Sequence, residues 1–77
     1  MKILLFGRLA ETIGREIEYA LPAGGCTVAA LRAALAKEHA GLAAESVRAC
    51  IDHEIAAESA LVLPGQEVAF VPPLSGG

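Results

Sequence analysis

One stretch of this 77-residue chain carries an apolar stripe at helical spacing, and every other apolar run is only strand-length. Val28, Leu31 and Leu35 fall at i, i+3 and i+7, a stripe that one helix face can bury. Thr27 precedes them, and its hydroxyl is suited to accept an unpaired N–H of the first turn. The helix is expected from Val28 to about His39, with Arg32, Lys37 and Glu38 on its wet side and Gly41 as its end. A lone helix covers one face of a sheet. The rest of the chain must therefore build a sheet whose other face is open, an α+β arrangement.

The strands are read from period-two alternation. Residues 2–6 place Ile3 and Leu5 on one face and Lys2, Leu4 and Phe6 on the other. Residues 8–13 fit a helical turn between Gly7 and Gly14. A second strand fits 16–21, with Ile17, Tyr19 and Leu21 opposite Glu16 and Glu18. Pro22-Ala23-Gly24-Gly25 breaks the chain before the helix. A third strand, 47–51, sets Val47, Ala49 and Ile51 against Arg48 and Cys50. Asp52-His53 fits a two-residue hairpin turn into a short strand at 54–56. Residues 60–63 are a buried segment whose type the pattern leaves open. Pro64-Gly65 suits a type II turn. The last strand, 67–71, sets Val68 and Phe70 against Ala69 and Val71. The order predicts one domain, 1–77, with a mixed sheet of four to five strands on one main helix and a tail at 72–77.

Composition narrows function by exclusion. Ala supplies 16 of the 42 apolar residues, so the core is small. No apolar run approaches the roughly 20 residues that span a bilayer, and the N-terminus lacks a signal-peptide layout. The reading is a cytoplasmic protein with no membrane partner. A net charge of −3 argues against nucleic acid, which normally needs a basic face. Cys26 and Cys50 form neither a C-x-x-C pair nor a ligand set and read as packing residues. His39 and His53 read as solvated, and Gly24-Gly25 as a plain loop. There is no Walker loop, no G-x-G-x-x-G and no Ser–His–Asp spacing. No metal site and no bound cofactor are expected.

What remains is an open face and a tail. Leu4, Phe6, Val71 and Ile55 converge by strand parity on the face that the helix does not cover. Such faces are usually polar, so an apolar patch there marks a protein-binding surface. Phe70-Val71-Pro72-Pro73-Leu74-Ser75-Gly76-Gly77 then closes the sequence. Pro72 and Pro73 lack the N–H that a strand needs; they end the sheet and stiffen the exit. Residues 72–77 reach about 20 Å when extended. Gly76 and Gly77 form the thinnest backbone available. A narrow channel in a partner would admit this tail, with Leu74 as anchor and Ser75 hydrogen-bonded inside. A carboxylate at Gly77 is a poor electrophile, so chemistry there needs activation, for which an acyl-adenylate serves. A sulfur nucleophile then yields a thiocarboxylate, and an amine yields an amide. The opposing reading is a frayed, glycine-rich end.

The chain resembles the small subunit of molybdopterin synthase, a sulfur carrier with the ubiquitin-like β-grasp fold. The resemblance spans Leu4-Leu5-Phe6-Gly7-Arg8-Leu9, Thr27-Val28 with Leu31, and Gly65 with Glu67-Val68-Ala69-Phe70. It is most specific over Phe70 to Gly77. It implies a chain that is not an enzyme by itself. A ubiquitin-activating-like adenylyltransferase would adenylate Gly77 with ATP and magnesium, and a sulfur donor would convert it to a thiocarboxylate. The tail would then enter the large synthase subunit, in a heterotetramer of two small and two large subunits. There it would give its sulfur to cyclic pyranopterin monophosphate in molybdenum cofactor biosynthesis. The resemblance also assigns Phe6, Ile55 and Val71 to the partner-docking face. The chain departs from the family pattern at Asp52, often Asn, and at Val71, sometimes aromatic. The alternatives are a carrier for thiamine, tRNA thiolation or cysteine synthesis, a protein modifier joined through Gly77, and a binding module with an inert tail.

Overall fold

The computed structural model describes residues 1–73. Leu74, Ser75, Gly76 and Gly77, assigned above to tail insertion and activation, lie outside the described residues. In order, the elements are β1 (Lys2–Leu5), α1 (Arg8–Thr12), β2 (Glu16–Glu18), β3 (Cys26–Thr27), α2 (Val28–Ala36), a 3-10 turn (Ala40–Ala43), β4 (Arg48–Ile51), β5 (Glu54–Ala56), β6 (Leu61–Val62) and β7 (Val68–Val71). Five strands form one sheet in the order β2-β1-β7-β4-β5. β1 and β7 run parallel; the other neighbours in that sheet are antiparallel. The last strand therefore lies at the centre, and residues 72–73 leave from the middle of the sheet.

Alternation decides which side chains meet the helix. Ile3, Leu5, Ala49, Val68 and Phe70 point to one face and are buried there with Val28, Leu31 and Leu35 of α2. Ile17, Tyr19 and Leu21 pack at the margin of this core, although β2 stops at Glu18, short of the expected Leu21, its pairing with the first strand ending at the Tyr19 N–H bond to the Met1 carbonyl at 2.9 Å. Thr27 caps α2 as its position predicts, its Oγ1 accepting the Ala30 N–H at 3.1 Å. Pro64 and Gly65 also turn as expected: Gly65 has φ +91°, and the Gln66 N–H returns to the Leu63 carbonyl at 3.3 Å.

Three expectations need correction. α2 ends at Ala36, not near His39, and Gly41 lies inside the 3-10 turn rather than stopping the helix. Leu42 is the reason: it is fully buried, and the chain must leave the helix axis to bring it under the core. Residues 60–63 are not buried throughout: Leu61 and Leu63 are 50% and 41% exposed beside a fully buried Val62, because the segment contains a strand, β6, that pairs antiparallel with β3 in a separate two-stranded sheet. Gly25 makes that pairing possible, since at φ +81° a Cβ would overlap the Val62 carbonyl oxygen.

The third correction is Arg32, which does not sit on a wet face; its side chain is 11% exposed. The guanidinium donates to the carbonyls of Leu42 (2.8 Å), Ala44 (3.1 Å) and Val47 (2.7 Å) and to both carboxylate oxygens of Glu58. It also lies over the Phe70 ring, 5.4 Å from the centroid. Among the described residues, no helix is long and apolar enough to cross a membrane.

Candidate functional site: the open sheet face and the base of the tail

The uncovered face is assembled from alternate residues of all five strands. The register sets Leu4 beside Ala69, Cys50 between Ala69 and Ile55, and Arg48 beside Val71. Phe6 follows β1 and donates its N–H to the Phe70 carbonyl at 3.3 Å, which carries the alternation one step further. Phe6 is 50% exposed and Ile55 67%, while Leu4 and Val71 are half-buried. Phe6, Cys50, His53, Glu67, Ala69 and Val71 line a shallow depression of about 230 Å³. Ion pairs flank the open face: Lys2 with Glu16 at 3.4 Å across β1 and β2 and, when His53 is protonated, His53 with Glu67 at 3.6 Å at the hairpin turn. The result is an apolar patch with a polar border, the usual anatomy of a protein interface.

Cys50 is a member of this face that the sequence left among packing residues. Strand parity already placed it opposite Val47, Ala49 and Ile51. What parity did not supply was that β4 lies between β7 and β5, a neighbour relation set by long-range pairing. Ala69 was placed on the correct face but is buried even there, being small and flanked by larger neighbours.

The hairpin that carries Ile55 is fastened to β7. Asp52 and His53 both have positive φ, 50° and 73°, as a two-residue type I′ turn requires. Asp tolerates this region because its short side chain can bond locally. Here the Asp52 N–H donates to the Glu67 carbonyl at 2.8 Å, and the Glu67 N–H donates back to Asp52 Oδ1 at 2.9 Å. The turn thus sets Ile55 at a fixed offset from the strand that bears the tail. Beneath β7, Arg32 supports Phe70 from the core side. Its hydrogen bonds and charge hold the Glu58 carboxyl below its ordinary range, more strongly than burial raises it.

At the tail's base, Pro72 is half-buried and Pro73 exposed. Pro72 lies against Gly7, where a Cβ would come within 2.8 Å of its Cγ. Gly7 has φ 59° and ψ −135°, a conformation that glycine adopts readily. Sequence reading took Gly7 only as the end of a strand. Among the described residues, no three His, Cys, Asp or Glu side chains gather as metal ligands.

A mixed sheet wrapped on one helix, with its first and last strands parallel and central, defines a ubiquitin-like β-grasp protein. The chain belongs to the ThiS family, whose model matches residues 3–77, and is therefore a small β-grasp sulfur carrier or ubiquitin-like modifier. Among solved structures it is similar to SAMP1 from Haloferax volcanii, at 29% identity and TM-score 0.78 over 99% of this chain and 97% of that one. A second crystal structure, of H. volcanii small archaeal modifier protein 1, matches at 26% identity and TM-score 0.77 over 95% of each chain. A protein from Pyrococcus furiosus, provisionally described as molybdopterin converting factor, subunit 1, shares the fold at 23% identity and TM-score 0.78 over 95% of each chain. No curated protein sequence matches the chain.

Proposed function

We propose that this chain is the sulfur-donating small subunit of a molybdopterin synthase and acts in the cytoplasm as one domain with a projecting tail. The observation that carries this reading is the run Phe70 to Gly77, which continues from the central strand of a ThiS-family chain beside an open apolar face. In this reading the Gly77 carboxylate oxygen attacks the α-phosphorus of ATP on an adenylating partner, with magnesium, and pyrophosphate leaves. Hydrosulfide released by the donor then attacks the acyl carbon, AMP leaves, and a thiocarboxylate remains. Leu4, Phe6, Ile55 and Val71 dock the large subunit. Pro72 to Gly76 thread the sulfur into its active site, where cyclic pyranopterin monophosphate accepts it. The catalytic side chains belong to the large subunit, and Gly77 is a tethered substrate.

The test is reconstitution with an adenylating enzyme, a sulfur source and a large synthase subunit. Intact mass should show oxygen replaced by sulfur at Gly77, and dithiolene product should form. Removing Gly76 and Gly77 should leave thermal unfolding unchanged and abolish both signals. Product formation by the truncated chain would falsify the reading. A thiocarboxylate without dithiolene product would point instead to a carrier serving another pathway.

A second reading has its own observation, the likeness to small archaeal modifier protein 1 at 26–29% identity. There the activated Gly77 would be captured by a lysine amine. Peptides bearing a Gly77 remnant on lysine, recovered from cells, would favour it.

A further inference from the structure

Gly7 and Pro72 face each other because of sheet register. β1 and β7 are parallel and pair Ile3 with Val68, Leu4 with Ala69 and Leu5 with Phe70. The Phe6 N–H bond to the Phe70 carbonyl continues the association past the end of β1. One residue further along, both chains leave the sheet. Gly7 turns into α1, its carbonyl accepting the Ala10 N–H at 3.0 Å and the Glu11 N–H at 3.3 Å. Pro72 begins the tail. The two departures occupy the same corner, and only one of them has a side chain there.

We infer that Gly7 is a positioning residue for the tail, whose missing Cβ is the seat that sets the direction in which Pro72 and Pro73 leave β7. The inference rests on the reading of Gly77 as the activated group. A Cβ at Gly7 would stand 2.8 Å from Pro72 Cγ and 3.4 Å from Pro72 Cδ. A proline ring has no free rotation about its side-chain bonds, so it cannot swing aside as a lysine or leucine end would. To regain ordinary contact Cγ must retreat by about 0.6 Å, and whatever part of this a change of ring pucker does not absorb moves the backbone on which the ring closes. That displacement arises at the root of the stalk and redirects Pro73 with it. A reacting group misplaced by about 1 Å can lose roughly a hundredfold in rate. The docking residues Phe6, Ile55 and Val71 are not part of the contact. Gly7 is therefore expected to govern how the carboxylate is presented and not how tightly the carrier docks.

The experiment is a double-mutant cycle of Gly7→Ala and Pro72→Ala. It is read as kcat and KM for adenylation of the full chain by its activating enzyme, normalised to folded protein. Gly7→Ala should lower kcat about tenfold with KM within about twofold. In the Pro72→Ala background it should have little further effect on kcat, because the ring that it displaces is gone, while the strain of an L-residue at φ 59° lowers stability in both backgrounds. A purely structural glycine would lower the melting temperature and leave both constants unchanged per folded molecule. An equal loss in both backgrounds, or an unchanged kcat, overturns the inference. The contact is also read without any partner, as nuclear Overhauser effects between Gly7 Hα and the Pro72 ring protons in the unmodified protein. Their absence overturns it too. Failure of the unmodified protein to be adenylated while these effects are present would count against the proposed function and leave the seat standing.

Discussion

Arg32 leaves helix α2 toward two irregular segments, the 3-10 turn with its exit to β4 and the loop after β5 that carries Glu58. Three backbone carbonyls and one carboxylate receive its hydrogen bonds. Those segments have few regular partners of their own, so the guanidinium supplies what a ladder would elsewhere. Arg32→Met should cost about 2–3 kcal/mol, because partly buried carbonyls lose their donors while the aliphatic stem is kept. Urea unfolding at neutral pH measures this; an unchanged midpoint would mean that water serves those carbonyls equally well. Glu58 adds a pH dependence whose sign is determined. Its folded carboxyl is held below the ordinary value near 4.5, first by the Arg32 hydrogen bond. Its contribution is complete above that ordinary value and is lost as pH falls through the depressed one. Unmodified protein should exceed Glu58→Gln in stability at neutral pH, and the gap should close as the solution is acidified below that ordinary value and through the depressed one. Glu58 is half-exposed, so the gap should also narrow in high salt.

At the scale of elements, the small sheet of β3 and β6 closes the side of the core where Val62 and Val28 are fully buried. It depends on the close approach at Gly25. Gly25→Ala combines an L-residue at φ +81° with an overlap against the Val62 carbonyl, and should destabilise by about 2 kcal/mol or more. For a domain of this size, each kcal/mol lowers the melting temperature by roughly 4–8 °C. A thermal scan of Gly25→Ala within a degree or two of the unmodified protein would refute the argument. This sheet also shows where sequence reading stops. β1, β4, β7 and α2 were legible because each repeats its period often enough to separate a buried face from an exposed one. β3 and β6 have two residues each, too few to show a period. Arg32 was misplaced for a related reason. A charged residue off the apolar stripe is normally solvated, and only long-range folding brings three carbonyls and Glu58 around it. The end of the sheet at Pro72 was readable from residue order alone; Cys50 and Gly7 became part of the site only through strand neighbours and register.

At the scale of the molecule, the helix and the tail-bearing strand divide the work. Val68 and Phe70 of β7 are buried against α2, while Ala69 and Val71 of the same strand face away. One strand thus joins the core to the open apolar face, and residues 72–73 follow from its end. Stability and recognition should then separate by face. Phe6 and Ile55 are 50% and 67% exposed, so charging them removes little buried apolar surface. The double variant Phe6→Asp with Ile55→Asp should unfold within about 1 kcal/mol of the unmodified protein. In a complex, the same two carboxylates would be buried without partners, a cost of several kcal/mol. On the proposed function, binding to a large synthase subunit should weaken at least about a hundredfold, since each 1.4 kcal/mol is a factor of ten. Calorimetric titration beside a denaturation curve decides it. Tight binding retained by a folded double variant would mean that the partner grips the tail alone, and that the open apolar face belongs to some other contact.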